Sequence, residues 1–185
     1  IAAHMPELPD AKKARFIGDF GLTDYDANVL TADLESAGFF EAVAQGRDGK
    51  IAANWVINEL FGRLNKEALA ITDSPVSAAR LGGMLDLLAK GEITGKMAKD
   101  LFELMWTTGE DPTDLAAKHG MKAVTDTAAI EAALDALIAA NPEQVEKARV
   151  NAKLAGWFTG QVLKSTGGKA NPAVVGAMVA QKLGL

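Results

Sequence analysis

The residues best placed to do chemistry lie near the C-terminus: Gly167, Gly168, Lys169, Ala170, Asn171 and Pro172, between two segments of helical apolar spacing. Asn as an N-cap with Pro in the first turn opens a helix. Glycines ahead of it let the backbone come close to another molecule. A lysine beside a helix N-terminus adds a full charge to the partial positive charge of the helix dipole. Gly167, Gly168, Lys169 and Asn171 together predict an anion-binding corner sized for one phosphate of a nucleic-acid backbone. The same residues also suit a plain turn with a solvated lysine and a good cap. Thr94-Gly95-Lys96 is a second lysine at a helix start, either a second phosphate contact or a surface accident, since a cation in the first turn opposes the dipole. Lys147, Arg149, Lys153 and Lys164 are candidates for flanking electrostatics.

Other chemistry finds little support. The only histidines, His4 and His119, are too far apart for a local metal motif. His119 precedes Gly120 at a helix end and lacks the positioned partner that acid–base work needs. The chain has no cysteine, which excludes disulfides and Cys-ligated metals. Carboxylates are scattered over helix faces and first turns, and no Walker-type phosphate loop is present. No catalytic residue and no metal ligand are expected.

The elements that must position the corner read as helices. The 185 residues are 49% apolar and 23% charged, in the range of soluble globular chains. No segment alternates with period two, so the expected fold is all-α. Pro9 starts a first helix, framed by Gly18 and Gly21. Thr23 caps a second that continues to Gly38, and Phe39, Phe40 and Val43 belong to a short third. Ile51 to Leu64 is strongly apolar, with Asn54 and Asn58 expected to bond to a neighbouring helix. Ser77 and Thr94 open two more helices, and Gly82-Gly83 suits close helix packing in the first of these. Asp111 or Thr113 caps a short helix to Lys118. Thr125 or Thr127, Asn141 and Asn171 cap later ones, with Trp157 and Phe158 expected in the core between them.

The expected architecture is two consecutive small helical bundles: a helical domain over 6–117 and a tail of three to four helices over 118–185. Ile1 to Met5 reads as a tag remnant. Residues 1–117 carry net charge −8 and residues 118–185 carry +3, as expected if only the tail meets a polyanion. No apolar run approaches the roughly 18–20 residues of a membrane span, and no signal peptide is recognisable.

Several segments resemble one family. Leu8-Pro9-Asp10-Ala11-Lys12-Lys13-Ala14-Arg15-Phe16 resembles the start of the helical region of the B subunit of the aspartyl/glutamyl-tRNA amidotransferase (GatB). Ala53 to Leu60, Ser74 to Ser77, Ile93 to Lys99, Val124 to Asp126 and Gly167 to Pro172 are similar to later family segments, in the family's order. Stand-alone YqeY-like proteins share the later helices, and the Pro-Asp-Ala-Lys-Lys start favours the GatB family. The resemblance implies the family's helical domain and YqeY-like tail, without the cradle domain that holds ATP, Mg and the kinase site. It implies a non-catalytic, cytoplasmic tRNA-docking piece whose tail meets the outer corner of tRNA(Gln) or tRNA(Asn). Its parent, a ligase of protein biosynthesis, works with the A and C subunits of the amidotransferase to convert Glu-tRNA(Gln) or Asp-tRNA(Asn) to the amidated forms. The alternative is a protein-interaction module with RNA contact incidental.

Overall fold

A computed structural model of the chain describes residues 7–124 and 127–185. Every named element is helical, and the described residues form no strand, only an isolated bridge between Val124 and Ala170. The chain is all-α. It divides into two compact units, one of residues 1–86 and 102–115, the other of 87–101 and 116–185.

The first unit contains α1 (Pro9–Phe20), α2 (Asp24–Leu30), α3 (Leu34–Ala44), α4 (Gly49–Asn54) and α5 (Phe61–Glu67). It also takes most of α6 (Ala78–Ala89), α7 (Gly95–Thr108) from Phe102 onward, and the start of α8 (Pro112–Lys118). Phe16, Phe20 and Phe40 form a triangle of rings 5.0–5.6 Å apart, an arrangement that adds to their area burial. Thr23 caps α2 as expected, accepting from the Asp26 N–H at 3.1 Å. The helix then stops at Leu30, eight residues earlier than the apolar pattern suggests. Asp33 is the reason: its carboxylate accepts from the Ser36 N–H at 2.7 Å and the Ser36 hydroxyl at 2.8 Å, starting a new helix that runs through Gly38.

Residues 49–67 are helical throughout, but Trp55–Leu60 loosen into a π-turn between α4 and α5. Asn58 donates to the Asn54 side chain at 2.6 Å within this helix, instead of bonding to a neighbouring one. The two are four apart on an exposed face, where residues at that spacing are neighbours on the helix surface. Gly82 accommodates a side chain, not a helix. A Cβ there would lie 2.6 Å from Arg47 Nη1. That guanidinium grips Asp86 through two bonds of 2.7 and 2.8 Å.

The second unit holds α9 (Thr127–Ala140), α10 (Pro142–Val150), a 3₁₀ turn (Ala152–Ala155), α11 (Gly156–Ser165) and α12 (Pro172–Leu183), with the start of α7. Ile130, Leu134, Phe158, Val162, Val175 and Val179 are buried together. Trp157 is not among them: it is 38% exposed, while Phe158 is fully buried. Consecutive helical residues point about 100° apart, and here the core-facing direction falls on Phe158, leaving Trp157 towards the helix flank. Asn171 caps α12, accepting from the Ala173 N–H at 2.9 Å. Asn141 makes no such cap; its amide donates back to the Leu137 carbonyl of α9 at 2.9 Å. Thr125 lies outside the described residues, and Thr127 is the first residue of α9.

Candidate nucleic-acid interface

Two glycines terminate α11. Gly167 and Gly168 take φ of +62° and +78°, left-handed values that L side chains resist. Their amides turn inward. Gly167 N–H donates to the Lys164 carbonyl at 3.1 Å, Gly168 N–H to Leu163 at 2.8 Å, and Lys169 N–H to Thr166 at 3.2 Å. All three are consumed in closing the helix. The glycines therefore do not present their amides to another molecule, and the charge left facing outward is the Lys169 ammonium. Lys169 is exposed, two residues ahead of the Asn171 cap.

The close approach that Gly168 permits is internal. A Cβ there would lie 3.2 Å from Cδ and 3.6 Å from Nζ of Lys96. Thr94, buried at the start of α7, accepts from the Met97 N–H and donates to the Gly168 carbonyl, each at 3.3 Å. Between these segments runs 123–124: Ala123 N–H donates to the Glu92 carbonyl at 2.8 Å and Val124 N–H to the Lys169 carbonyl at 2.6 Å. Three loops are thereby stitched into one junction, with Ile93, Thr94, Ala123 and Ala170 buried inside it. The two lysine-bearing helix starts, separate in sequence, form a single corner. No local pattern in either segment announces that meeting, because the bonds join backbone carbonyls to distant partners.

The surroundings favour an anion. The second unit carries eleven Lys/Arg and seven Asp/Glu, net +4, and the first carries eight and 17, net −9. From 147 to 185 there is no Asp or Glu and there are six Lys/Arg, a sharper signal than the average over the tail. Of these six, Lys182 is held by Glu131 at 2.8 Å and Asp135 at 2.6 Å, and Arg149 by Glu146 at 3.2 Å. The Asp135 hydrogen bond, followed by that of Glu131, raises the Lys182 pKa above its ordinary 10.5. Among the described residues Lys96, Lys147, Lys153, Lys164 and Lys169 make no ion pair.

The structure gathers Lys96, Gly167, Gly168, Lys169 and Asn171 at the corner, and Lys164 is in the last turn of α11 leading into it. Lys153 is elsewhere, in the 3₁₀ turn ahead of α11 and roughly 18 Å from Lys164 along the helical run. His119 is exposed beyond α8, and His4 lies outside the described residues. Among the described residues no group of three or more His, Asp or Glu is close enough to hold a metal ion, and no helix is long and apolar enough to cross a membrane.

Comparison with known proteins gives this arrangement a family. The family model described as the GatB domain matches residues 38–183. The chain is 74% identical over 185 residues to the aspartyl/glutamyl-tRNA(Asn/Gln) amidotransferase B subunit of Cereibacter sphaeroides, covering 100% of this chain and 37% of that protein. The proteins of the same name from Roseobacter denitrificans and Methylorubrum populi are 70% and 63% identical, over 99% and 100% of this chain and 36% and 38% of theirs. The aligned span with the Cereibacter protein includes Ile1 to Met5. The chain thus spans a little over a third of the length of these relatives. With more than three quarters of its residues matched in one continuous stretch, the chain belongs to the GatB domain family.

Proposed function

We propose that this chain is the C-terminal part of a GatB protein and that it docks tRNA without performing chemistry itself. The observation that carries the reading is the shared corner, where two exposed lysines, Lys96 and Lys169, stand at two helix starts without an ion pair among the described residues. Gly167 and Gly168 shape that corner, Asn171 orders the helix behind it, Lys164 extends the positive surface onto α11, and Lys153 adds a charge in the 3₁₀ turn before that helix. Lysine ammoniums read phosphates and shape, not base edges. Lys96 and Lys169 belong to the same compact unit, although the expected division into a helical domain (6–117) and a tail (118–185) separates them.

In the parent assembly, with the A and C subunits, ATP and Mg act in the cradle domain. The side-chain carboxylate of Glu-tRNA(Gln) or Asp-tRNA(Asn) is activated there and amidated in the cytoplasm. Nothing of that chemistry belongs to the residues of this chain. A hollow of about 530 Å³ in the first unit has Asp33 and Glu35 as its only titratable lining, and Asp33 is committed to capping α3.

A salt titration of this chain with tRNA(Gln), tRNA(Asn) and a non-cognate tRNA tests the reading. Lys96→Ala and Lys169→Ala should each weaken binding and flatten the slope of log K against log salt by about 0.7–0.9, one phosphate contact each. Unchanged affinity and slope in both variants would remove the corner from consideration. A second reading has its own support. The acidic first unit exposes Tyr25 at 72% and Leu34 at 64%, which suits docking against protein partners better than RNA.

A further inference from the structure

Trp157 is the residue whose placement calls for another explanation. Its ring stands 38% exposed, braced edge-on by the buried Phe158 at 4.9 Å and 89°. A large aromatic that rests on a buried ring and is open to solvent offers a surface for stacking. Its neighbours at helical spacing within α11 are Gly160 and Lys164, so the three share one face of that helix, and Lys153 lies in the 3₁₀ turn just ahead of it. A Cβ at Gly160 would meet nothing within 4 Å. Glycine inside a helix costs about 0.5–1 kcal/mol relative to alanine, and no internal contact here requires it. Its effect is to leave a notch on the outer face beside the indole.

We infer that this face of α11 seats one unpaired RNA base, stacked on Trp157 over the Gly160 notch, with Lys153 and Lys164 holding phosphates on either side. The two lysines are roughly 18 Å apart along the helical run, a span of a few nucleotides. Charge selects RNA over a protein as occupant: both lysines lack an ion pair among the described residues, and no acidic residue occurs from 147 to 185. Gln161, one turn beyond Trp157, lines a hollow of about 410 Å³ with Ala133, Leu137, Lys164 and Ser165. Its amide can hydrogen-bond a base edge. Stacking on an aromatic is tolerant of base identity, so the seat recognises an extruded or looped base by shape. The inference rests on the reading of the chain as an RNA-docking module, and names the class of RNA element that it grips.

The test compares two RNAs with equal stems, one closed by a loop of unpaired bases and one a blunt duplex. Trp157→Ala should weaken loop binding about tenfold, within the range for one stacked base. Trp157→Phe should hold it within about threefold, and neither should alter duplex binding. Gly160→Leu fills the notch with the indole intact and should also weaken loop binding, which guards against a Trp157→Ala chain that fails to fold. Equal loop affinity in the native chain, Trp157→Ala and Gly160→Leu would overturn the seat. If Lys169→Ala still weakens both RNAs in that case, the docking reading stands and only the base seat is lost. If neither RNA binds the native chain, both fail together.

Discussion

Arg47 fills the space that a side chain at residue 82 would need. Its guanidinium donates to Asp86, to the Val43 carbonyl at 3.1 Å and to the Gln45 carbonyl at 3.3 Å. The Asp86 hydrogen bond raises the Arg47 pKa further above its ordinary value. Gly82→Ala must displace this group, and Gly49→Ala would place a Cβ 2.5 Å from Phe20 Cβ. Each should cost about 1–3 kcal/mol in urea unfolding, as overpacking does. Gly160→Ala, which meets open space, should instead gain a few tenths to 1 kcal/mol. A neutral Gly82→Ala would mean that Arg47 finds an equally good position elsewhere. At this scale the sequence is legible where the chemistry is local. The Asn171 cap could be read from Asn-Pro, but Gly82 reads only as a gap, since the residue that fills it is 35 positions away. Trp157 and Phe158 read as one apolar pair, and only the helix phase decides which of them faces inward.

Helix ends follow the same rule. Thr23, Asp33, Asp48, Asn151 and Asn171 each accept a hydrogen bond from a backbone N–H in the turn they open. Apolar spacing alone runs α2 into α3, because Val29, Leu30 and Leu34 fit one helical face, whereas Asp33 with Ser36 marks the break. Asn141-Pro142 and Asn171-Pro172 look alike in sequence but differ in outcome: the Asn141 amide finds the Leu137 carbonyl at the end of α9 first. Across α9 and α12, Lys182 bridges to Glu131 and Asp135. Its folded pKa is raised, so the stabilisation is fully present below pH 10.5 and is lost as pH rises through the raised value. Lys182→Met should therefore lower the melting temperature at pH 8, with the difference from the native chain shrinking well above pH 10.5. A difference that persists undiminished at about pH 12 would assign the loss to packing of the lysine stem.

For the molecule as a whole, charge is divided more sharply by the folded units than by any single cut in the sequence. The stretch 87–101 brings three lysines and two acids into the second unit, a transfer that no boundary between consecutive domains expresses. Lys96, Lys153, Lys164 and Lys169, the proposed phosphate contacts, set the salt dependence expected of RNA binding. If all four meet phosphates, log K should fall against log salt with a slope of about −3 to −4, roughly a hundredfold between 50 and 200 mM. A slope near −1 would confine the contact to one lysine. The all-helical class and the tail's positive charge were legible from composition, whereas the corner was not, because its halves meet only through loops. Those loops also supply a clock. Ala123 and Val124 belong to no helix, yet their amides are held by carbonyls from two other loops. Solvent deuterium reaches them only when the stitching parts, not when a helix frays. Their exchange times, with and without RNA, report how often this corner opens and whether a bound partner keeps it shut.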